Sequence, residues 1–542
     1  MPRGAIPQRG MAGADLGDSY SPLVGLVYIF NLIVGTGALT MPAAFKDAGW
    51  ALSLAIVILL ALMSYLTTTF VIEAMASTNA LVHGKTLKHY KRVVGEEEGH
   101  IAEGRKEYVA NELRTDEIIA RSVDVDERVP LLISNAAETM EESSHVDYFA
   151  IKERFELGKM ASLYFNKLGM NLFYICIVIY LYGDLAIYAA AVSKSLRDVT
   201  CTESTTVPNI TNESIVDVGD LHCWPGTDVT RSAAYRIYVL AFLCFLGPFT
   251  FFNMQKTKYL QLFTTLMRWI AFASMIILCT IALSGGKGRG QPQVAEPAGL
   301  PNLFGVCVYS FMCHHSLPSL VTPMRSKRHL FALVGADYLL ILGFYTLLSF
   351  TGVFTFPRLH DMYTLNFQPS DNPMGSIVPA IPFLQYFLSL FPVFTLSTSF
   401  PIIAITLRNN LKALFLREER SSATTSSTSS SATAGLSTLY KILELFIFPL
   451  LAILPPTIVA FATENVEFLV GITGSYAGAV IQYIVPVALV YCARNQVFEA
   501  LGLGVRNQHA SPFHHGAWLV FVLLWAVTCI TFVTVNHFIS KF

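Results

Sequence analysis

The chain has 542 residues, of which 53% are hydrophobic and only 14% are charged, and its mean hydropathy is +0.51. This composition excludes a soluble protein with a single anchor and indicates a chain that crosses a membrane many times. The formal net charge of −1 leaves no basic surplus to neutralise phosphates, so we expect no nucleic-acid partner. Residues 1–21 are polar, so we expect no cleavable signal peptide and a first span that directs insertion.

Apolar runs along the chain predict about eleven membrane-spanning helices. We expect them at residues 22–45, 49–78, 170–196, 234–254, 259–284, 303–324, 329–356, 377–408, 438–463, 465–493 and 516–540. Most lysines and arginines fall on one side of this arrangement, and the positive-inside rule makes that side cytoplasmic. The predicted cytoplasmic segments are the N-terminus 1–21, the loop 79–169 and the Ser/Thr-rich linker 409–437, with the loop 197–233 outside. These segments divide the spans into the blocks 22–78, 170–196, 234–408 and 438–540.

The 197–233 loop carries two features typical of a lumenal or extracellular compartment. Asn209 and Asn212 each begin an N-glycosylation sequon. Cys201 and Cys223 are the cysteines that lie clearly outside a predicted span, and an oxidising compartment favours a disulfide between them over two free thiols. The other cysteines fall within spans, where we interpret them as small apolar residues.

The 79–169 loop is longer than a connection between two spans requires. Its residues 79–150 are rich in charged and polar side chains and poor in aromatic ones, which predicts a largely disordered segment. Within it, Glu127, Leu131 and Leu132 have the form of an acidic dileucine signal, which predicts sorting to endosomes or lysosomes through adaptor proteins. The plasma membrane is the alternative location. The end of the loop, 157–169, has the apolar spacing of a helix at the membrane surface.

Two of the predicted spans are interrupted at mid-depth. The first contains Gly35, Gly37 and Pro42, and the sixth contains a polar run that ends at Pro318. Lipid offers no hydrogen-bond partner to freed backbone groups, so an interruption survives only where it faces protein or lines a cavity. Breaks five helices apart are typical of inverted-repeat transporters and mark their binding site. A plain kink or a close-packing contact is the alternative for either break alone.

Ionisable residues within spans are costly and point to a pathway or a buried partner. Asp184 lies near the middle of the third span, where it either binds a proton or is held by an ion pair with Arg268 of the fifth span or a hydrogen bond to a tyrosine. His314 and His315 lie in the sixth span. Adjacent histidines point to different faces of a helix, so we expect no metal site.

Three motifs, in order and in the corresponding helices, resemble the amino acid/auxin permease family of the amino acid–polyamine–organocation superfamily. Residues 31–39 match the first-helix motif Asn-x-x-x-Gly-x-Gly-x-Leu. Residues 311–318 are similar to the sixth-helix Phe-x-Cys-His followed by Pro, and 397–408 to the eighth-helix Thr-x-Pro with its following Arg. The segments 26–42 and 180–191 are most similar to one orphan group within this family.

The resemblance implies an all-α polytopic membrane protein of about eleven helices, with a five-plus-five inverted repeat and discontinuous first and sixth helices. It also implies an amino acid substrate at the two breaks, bound by Gly35, Thr36, Gly37, Ser310, Cys313 and His314. Bare N–H groups at the positive end of a half-helix suit a carboxylate. We therefore expect Gly37→Leu to abolish substrate binding without affecting the fold. The residues after His314 depart from the family pattern, so substrate preference does not carry over.

In sodium-coupled relatives the ion lies between the first and eighth helices. By position, oxygen atoms of Asn31, Val34, Thr398 and Ser399 form the corresponding cage. Ser399 stands where relatives commonly have Thr, so Na⁺ coupling and H⁺ coupling through Asp184 both stay open. No cofactor other than the coupling ion is expected.

These features together predict a secondary active transporter that moves an amino acid by alternating access. The alternative is a membrane amino acid sensor, with or without transport, that signals through residues 79–150. We expect no enzymatic activity, because no nucleophile pairs with a base. The expected partners are the amino acid, the lipid bilayer and adaptor proteins at the cytoplasmic loop.

Overall fold

The computed structural model describes residues 19–115, 148–201, 221–252, 258–369, 377–379, 381–415, 433–501 and 507–539. For 85–115, 258–262, 433–444 and 501 it describes the backbone alone. The dileucine pattern at Glu127, Leu131 and Leu132 and the sequons at Asn209 and Asn212 lie outside these residues. Both features therefore stay predictions.

The described residues form helices and contain no β-strand. The first helices are α1 (Pro22–Ile33), α2 (Thr36–Asp47), α3 (Trp50–Thr115), α4 (Leu157–Tyr164) and α5 (Lys167–Thr200). The middle of the chain forms α6 (Arg231–Leu246), α7 (Lys258–Ser284), α8 (Leu300–Ser310), α9 (Leu317–Val321) and α10 (Leu330–Thr355). The last helices are α11 (Pro382–Phe415), α12 (Thr433–Ala462), α13 (Val466–Thr473), α14 (Val485–Leu501) and α15 (Gly516–Ile539). Two π-helical turns, Gly474–Gly478 and Val480–Ile484, continue α13 into α14.

Nine helices of the described part are long and apolar enough to cross a membrane, and α1 and α2 together make a tenth. The predicted all-α polytopic fold is therefore confirmed. The remaining predicted span, 303–324, is divided between α8 and α9. Neither crosses alone, because an α-helix rises only about 1.5 Å per residue. The inverted repeat and the sidedness of the loops stay predictions.

The 79–169 loop is more ordered at its N-terminal end than the composition predicts. Helix α3 continues past the predicted end of the second span as far as Thr115. No proline interrupts 79–115, and this stretch is rich in Lys, Glu and Arg, which are good helix formers. The prediction of disorder thus fails for this part.

The C-terminal end of the same loop is also folded. Phe149, Ile151 and Phe155 are buried in the core. The side-chain carbonyl of Asn79 accepts hydrogen bonds from the backbone N–H groups of Lys152 and Glu153, at 3.2 and 2.9 Å. This anchors the segment to α3.

The helix predicted within 157–169 is present as α4. It buries Leu157, Met160 and Tyr164 against the neighbouring helices. It ends because Asn166 caps the next helix, α5, by accepting a hydrogen bond from the N–H of Gly169 at 2.8 Å.

The predicted disulfide between Cys201 and Cys223 is formed. Beside it, Asp198 accepts hydrogen bonds from Arg197 and Arg231, each at 2.7 Å. The disulfide and these ion pairs join the end of α5 to the start of α6, and so fix the root of the 197–233 loop.

Close backbone contacts position the sixth-span break. A Cβ atom at Gly305 of α8 would overlap the carbonyl of Gly471 in α13, and one at Gly474 would overlap the carbonyl of Gly305. Only glycine permits this approach. Helix α8 therefore lies directly against α13 on one side, and it packs on α2 on the other.

Candidate substrate and ion site

The break in the first span exposes backbone donors at mid-depth. Helices α1 and α2 are bent by 56° at the break, and the Gly35 N–H bonds the Ile33 carbonyl at 2.9 Å. Among the described residues, the backbone N–H groups of Thr36 and Gly37 have no acceptor, and the buried Thr36 hydroxyl faces the Tyr188 hydroxyl. The N-terminus of a helix carries a partial positive charge. This end of α2 is therefore suited to a carboxylate.

The two glycines of the break differ in their surroundings. A Cβ atom at Gly37 would lie 2.7 Å from the Cα of Ser310 and would also overlap the serine hydroxyl, so the residue packs against α8. A Cβ atom at Gly35 would meet only two carbonyls of its own chain, at 4.0 Å. The expectation that Gly37→Leu leaves the fold intact is therefore wrong. Gly35 is the position where a side chain enters open space.

Tyr345 of α10 joins the two breaks. Its hydroxyl lies 3.0 Å from the carbonyl oxygen of Ile33 and 2.9 Å from that of Ser310, the last residue of α8. Both carbonyls are at the C-terminal ends of half-helices, where regular intrahelical donors run out, and the Ile33 carbonyl also accepts from the Gly35 N–H. Tyr345 is fully buried. A single phenol thus supplies the hydrogen-bonding partner for both interrupted helices.

The predicted site residues of the sixth span face α3 and α10. Nε2 of His314 lies 2.9 Å from the hydroxyl of Thr67 and 3.3 Å from that of Thr68. The Cys313 thiol lies 3.3 Å from the hydroxyl of Tyr338. Cys313 and His314 are therefore part of a buried polar network on the side of the break toward α3.

Arg268 of α7 binds the carbonyls that the family resemblance assigns to an ion. Its guanidinium donates to the carbonyl of Val34 at 3.0 Å and to the carbonyl of Asn31. The side-chain amide of Asn31 in turn donates to the Thr265 hydroxyl at 2.6 Å. Two predicted ion ligands, Asn31 and Val34, are thus held by α7.

The other two predicted ion ligands bond within their own helix. The hydroxyls of Thr398 and Ser399 donate to the carbonyl of Thr395, at 2.8 and 3.2 Å. Their helix, α11, packs chiefly on α5, α7 and α12. These two hydroxyls are thus engaged within α11, whereas Asn31 and Val34 are held by α7.

Asp184 is a buried carboxylate near the two breaks. Tyr309 of α8 is its hydrogen-bonding partner, and its Oδ1 atom has no partner among the described residues. Arg268 donates its hydrogen bonds to Asn31 and Val34, and the described residues contain no Asp184–Arg268 ion pair. Tyr188 interacts electrostatically with both Asp184 and Arg268.

The site is closed on the side predicted to be lumenal or extracellular. Lys46, near the end of α2, donates to the carbonyl of Pro357 at 2.8 Å. In the same loop, Asp361 pairs with Lys194 of α5 at 2.7 Å and accepts from the N–H of Val466 at 3.0 Å. The loop after α10 is therefore tied to α2, α5 and α13.

The site is also closed on the opposite side. The N–H of Tyr20 donates to the carbonyl of Pro323 at 3.2 Å, and the N–H of Arg325 donates to the carbonyl of Tyr20 at 3.0 Å. The Tyr20 hydroxyl donates to the carbonyl of Leu320 in α9. Burial raises the pKa of Tyr20 to about 12, so this donor keeps its proton at neutral pH. These bonds join the start of α1 to α9.

Several residues of the site were not predicted. Tyr345, Tyr338 and Thr68 become visible as site residues only when the helices are assembled. Arg268 was recognised as an intramembrane charge, but its contact with the first-span carbonyls depends on how α7 packs. A useful signal was the position of Tyr345 within a span, since a buried tyrosine hydroxyl requires a partner.

This chain matches known proteins along nearly its whole length. The family model described as transmembrane amino acid transporter protein matches residues 18–113 and 131–534. Transmembrane protein 104 of Gallus gallus is 49% identical over 535 residues, which cover 98% of this chain and 99% of the relative. The Homo sapiens protein of that name is 49% identical over 539 residues, with the same coverage. A Drosophila melanogaster homologue is 44% identical over 533 residues, which cover 97% of this chain and 99% of the relative. The family resemblance is confirmed, and the orphan group is that of transmembrane protein 104.

Proposed function

Because the chain belongs to the transmembrane amino acid transporter family, we propose that it is a secondary active transporter that moves amino acids by alternating access. The observation that carries the proposal is the contact of Tyr345 with Ile33 and Ser310. This contact brings two interrupted helices to one buried point, which is how transporters of this kind form a substrate site.

The α-carboxylate of the substrate is assigned to the start of α2. The backbone N–H groups of Thr36 and Gly37 are donors without partners among the described residues. A charged acceptor strengthens such hydrogen bonds about twofold over neutral pairs. A substrate carboxylate therefore gains most at this end of the helix.

The substrate ammonium group is assigned to Asp184. The carbonyls of Ile33 and Ser310 already accept from Tyr345, whereas Oδ1 of Asp184 has no partner in the described structure. Tyr188 forms a hydrogen bond with Thr36 and interacts electrostatically with Asp184, which supports the view that Thr36 and Asp184 lie at one site. A buried carboxylate without a counter-ion is costly, so a ligand cation stabilises it.

Protons rather than sodium are the coupling ion we favour. Arg268 bonds the carbonyls of Asn31 and Val34, and the hydroxyls of Thr398 and Ser399 bond their own helix. A sodium ion would have to displace a guanidinium from these oxygens. Asp184, in contrast, is a buried carboxylate that can gain or lose a proton as substrate binds.

The test is uptake of a labelled amino acid panel by purified protein in liposomes, under an imposed sodium or pH gradient. We expect accumulation that follows the pH gradient. Gly35→Ala places a methyl group in the open space at the break and is expected to weaken uptake. Gly343→Ala is the matched control, because a Cβ atom there meets nothing within 4 Å and the residue is exposed on the outer face of α10. Folded protein that neither binds nor accumulates any amino acid would contradict the proposal.

A second candidate function is amino acid sensing. Helix α3 spans 66 residues, whereas about 20 suffice to cross a membrane, so it extends far beyond the bilayer. Such an extension is suited to a partner that detects the state of the site. Amino acid-dependent capture of a cytosolic partner by residues 79–115, without uptake, would favour the sensor.

Endosomal or lysosomal residence is the location we propose, on the acidic dileucine pattern. An acidic lumen supplies the proton gradient that the proposed mechanism uses. Replacing Leu131 and Leu132 with alanine is expected to move the protein to the plasma membrane, as seen by microscopy of tagged protein. Unchanged lysosomal residence would contradict the assignment of the signal.

A further inference from the structure

A chain of buried polar groups leads away from the sixth-span break. Nε2 of His314 contacts the hydroxyls of Thr67 and Thr68 at 2.9 and 3.3 Å. The Thr68 hydroxyl contacts the Tyr338 hydroxyl at 2.8 Å, and the latter contacts the Ser64 hydroxyl at 2.9 Å. All five side chains are buried. The contacts are continuous from the break to α10.

His314 has the free atom that a relay needs at its entrance. While Nε2 faces the two threonines, Nδ1 is buried and has no partner in the described structure. A neutral imidazole carries a hydrogen on one nitrogen and a lone pair on the other, so it accepts a proton at one side and releases one at the other. A buried ring nitrogen without a hydrogen-bonding partner costs free energy of folding. A histidine whose role is packing alone gains nothing that offsets this cost.

Beyond the Tyr338 hydroxyl, the neighbouring acidic residue of α10 acts on the chain electrostatically rather than through a hydrogen bond. The Tyr338 hydroxyl lies 3.3 Å from the Cys313 thiol, and Asp337 acts electrostatically on that thiol. Asp337 is buried, and its Oδ2 atom has no partner among the described residues. It lies two turns from the end of α10 that is predicted to be cytoplasmic. Its carboxylate is the natural acceptor for a proton that leaves the hydroxyls.

The histidine is surrounded by groups that match this role. The titratable groups around it are His315 beside it in the chain, Cys313, and Tyr338 from α10, and Asp337 acts on the Cys313 thiol. From α3 the described contacts are the hydroxyls of Thr67 and Thr68 and the backbone of Ser64.

We propose that His314, Thr68 and Tyr338 form a proton relay between the substrate site and the predicted cytoplasmic end of α10. This inference rests on the proposed function, since the relay carries the protons that drive transport. It goes further by assigning the route that the protons take.

Each step of the relay conserves its protons. A proton binds Nδ1 of His314, and the resulting imidazolium releases its Nε2 proton to the oxygen of Thr68. Thr68 passes its original hydroxyl proton to the oxygen of Tyr338, and Tyr338 passes its own toward the Asp337 carboxylate. One proton enters, one leaves, and every hydroxyl is restored. Exchange of the imidazole tautomer then resets the histidine.

The test compares net proton movement with substrate exchange in liposomes that contain a pH-sensitive dye. Tyr338→Phe and Thr68→Val each remove one hydroxyl with little change of shape. His314→Gln keeps hydrogen-bonding capacity but cannot titrate. We expect each variant to lower substrate-driven proton flux by about tenfold or more. Exchange of labelled for unlabelled amino acid at equal pH needs no net proton transfer, so it is expected to persist in Tyr338→Phe and Thr68→Val. His314→Gln is tested for proton flux alone, because His314 is also a predicted substrate-binding residue.

Tyr363→Phe is the matched control. Tyr363 is a fully buried tyrosine whose hydroxyl also lies beside a thiol, 3.1 Å from Cys279, but it is outside the chain of contacts from His314. Its loss is expected to leave both proton flux and exchange unchanged. A purely structural role for Tyr338 would lower exchange and proton flux in parallel.

The outcomes separate the two proposals. Proton-coupled uptake that survives unchanged in Tyr338→Phe and Thr68→Val overturns the relay and leaves the transporter standing. Uptake by the wild-type protein without any proton flux also overturns the relay and leaves the transporter standing. Folded wild-type protein that neither binds nor moves amino acids overturns both.

Discussion

The guanidinium of Arg268 donates a hydrogen bond to the carbonyl oxygen of Val34 across a distance of 3.0 Å. This bond places a positive charge of the fifth span at the break in the first, where it also binds the carbonyl of Asn31. Hydrogen bonds from charged donors contribute about 1.5–3 kcal/mol each. The arginine thus stabilises the interrupted helix, and it occupies oxygens that a coupling sodium ion would require.

Uptake by the wild-type protein is accordingly expected to be independent of sodium. Arg268→Ala is expected to make the protein sensitive to sodium. Removal of the guanidinium leaves the carbonyls of Asn31 and Val34 without donors, at a cost of about 1–3 kcal/mol in stability. Sodium should then raise the unfolding temperature of the variant but not that of the wild-type protein. Thermal unfolding in sodium and in potassium buffers measures the difference.

Arg268→Lys is the control for this prediction, because it retains the cation with fewer donors. It should remain insensitive to sodium. Wild-type uptake that rises with sodium concentration would show that the ion binds elsewhere or displaces the arginine.

Tyr345→Phe is expected to destabilise the protein and to weaken transport. The variant leaves the buried Ser310 carbonyl without this donor, which costs about 1–3 kcal/mol, whereas the Ile33 carbonyl keeps its hydrogen bond from the Gly35 N–H. Thermal unfolding and uptake in liposomes measure the two effects. Tyr386→Phe is the control, since Tyr386 is 48% exposed on the surface of α11. Equal stability of the two variants would mean that water or another group replaces the phenol.

The sequence allowed the positions of the breaks to be predicted, but not the contacts that fill them. Gly35, Gly37 and Pro318 identified the interruptions because lipid cannot satisfy a freed backbone. That Gly37 packs against Ser310, and that Gly35 faces open space, depends on how closely α2 and α8 approach. Sequence spacing carries no information on distances between helices. The substitution at Gly37 was therefore misjudged.

The same limit applies to the ion site. Asn31, Val34, Thr398 and Ser399 were grouped by analogy with relatives that bind sodium. In this chain Arg268 of α7 binds the carbonyl oxygens of Asn31 and Val34, so these oxygens are not free for an ion. The analogy with relatives did not take this arginine into account. In contrast, the disulfide was predictable because only two cysteines lie clearly outside the predicted spans and one compartment rule applies to them.

Reduction of the Cys201–Cys223 disulfide is expected to lower stability without removing the fold. Closing a loop between residues 22 apart in sequence restricts the unfolded chain, and the expected contribution is about 3 kcal/mol. Thermal unfolding with and without a reductant measures it in the wild-type protein, and the Cys201→Ser, Cys223→Ser double variant should match the reduced form. Alkylation of either cysteine in non-reduced, folded protein would contradict the disulfide.

Tyr20→Phe is expected to loosen the closure that joins α1 to α9. The variant loses the hydroxyl donor to the Leu320 carbonyl but keeps the two backbone bonds to the segment after α9, so the closure should weaken rather than disappear. Cys313 precedes α9 and is fully buried, so it offers a native probe. Its alkylation rate, followed by mass spectrometry in inside-out vesicles, should rise several-fold, in line with the roughly 1 kcal/mol that one such hydrogen bond contributes. Tyr386→Phe should leave the rate unchanged. An unchanged rate in Tyr20→Phe would mean that this side opens elsewhere.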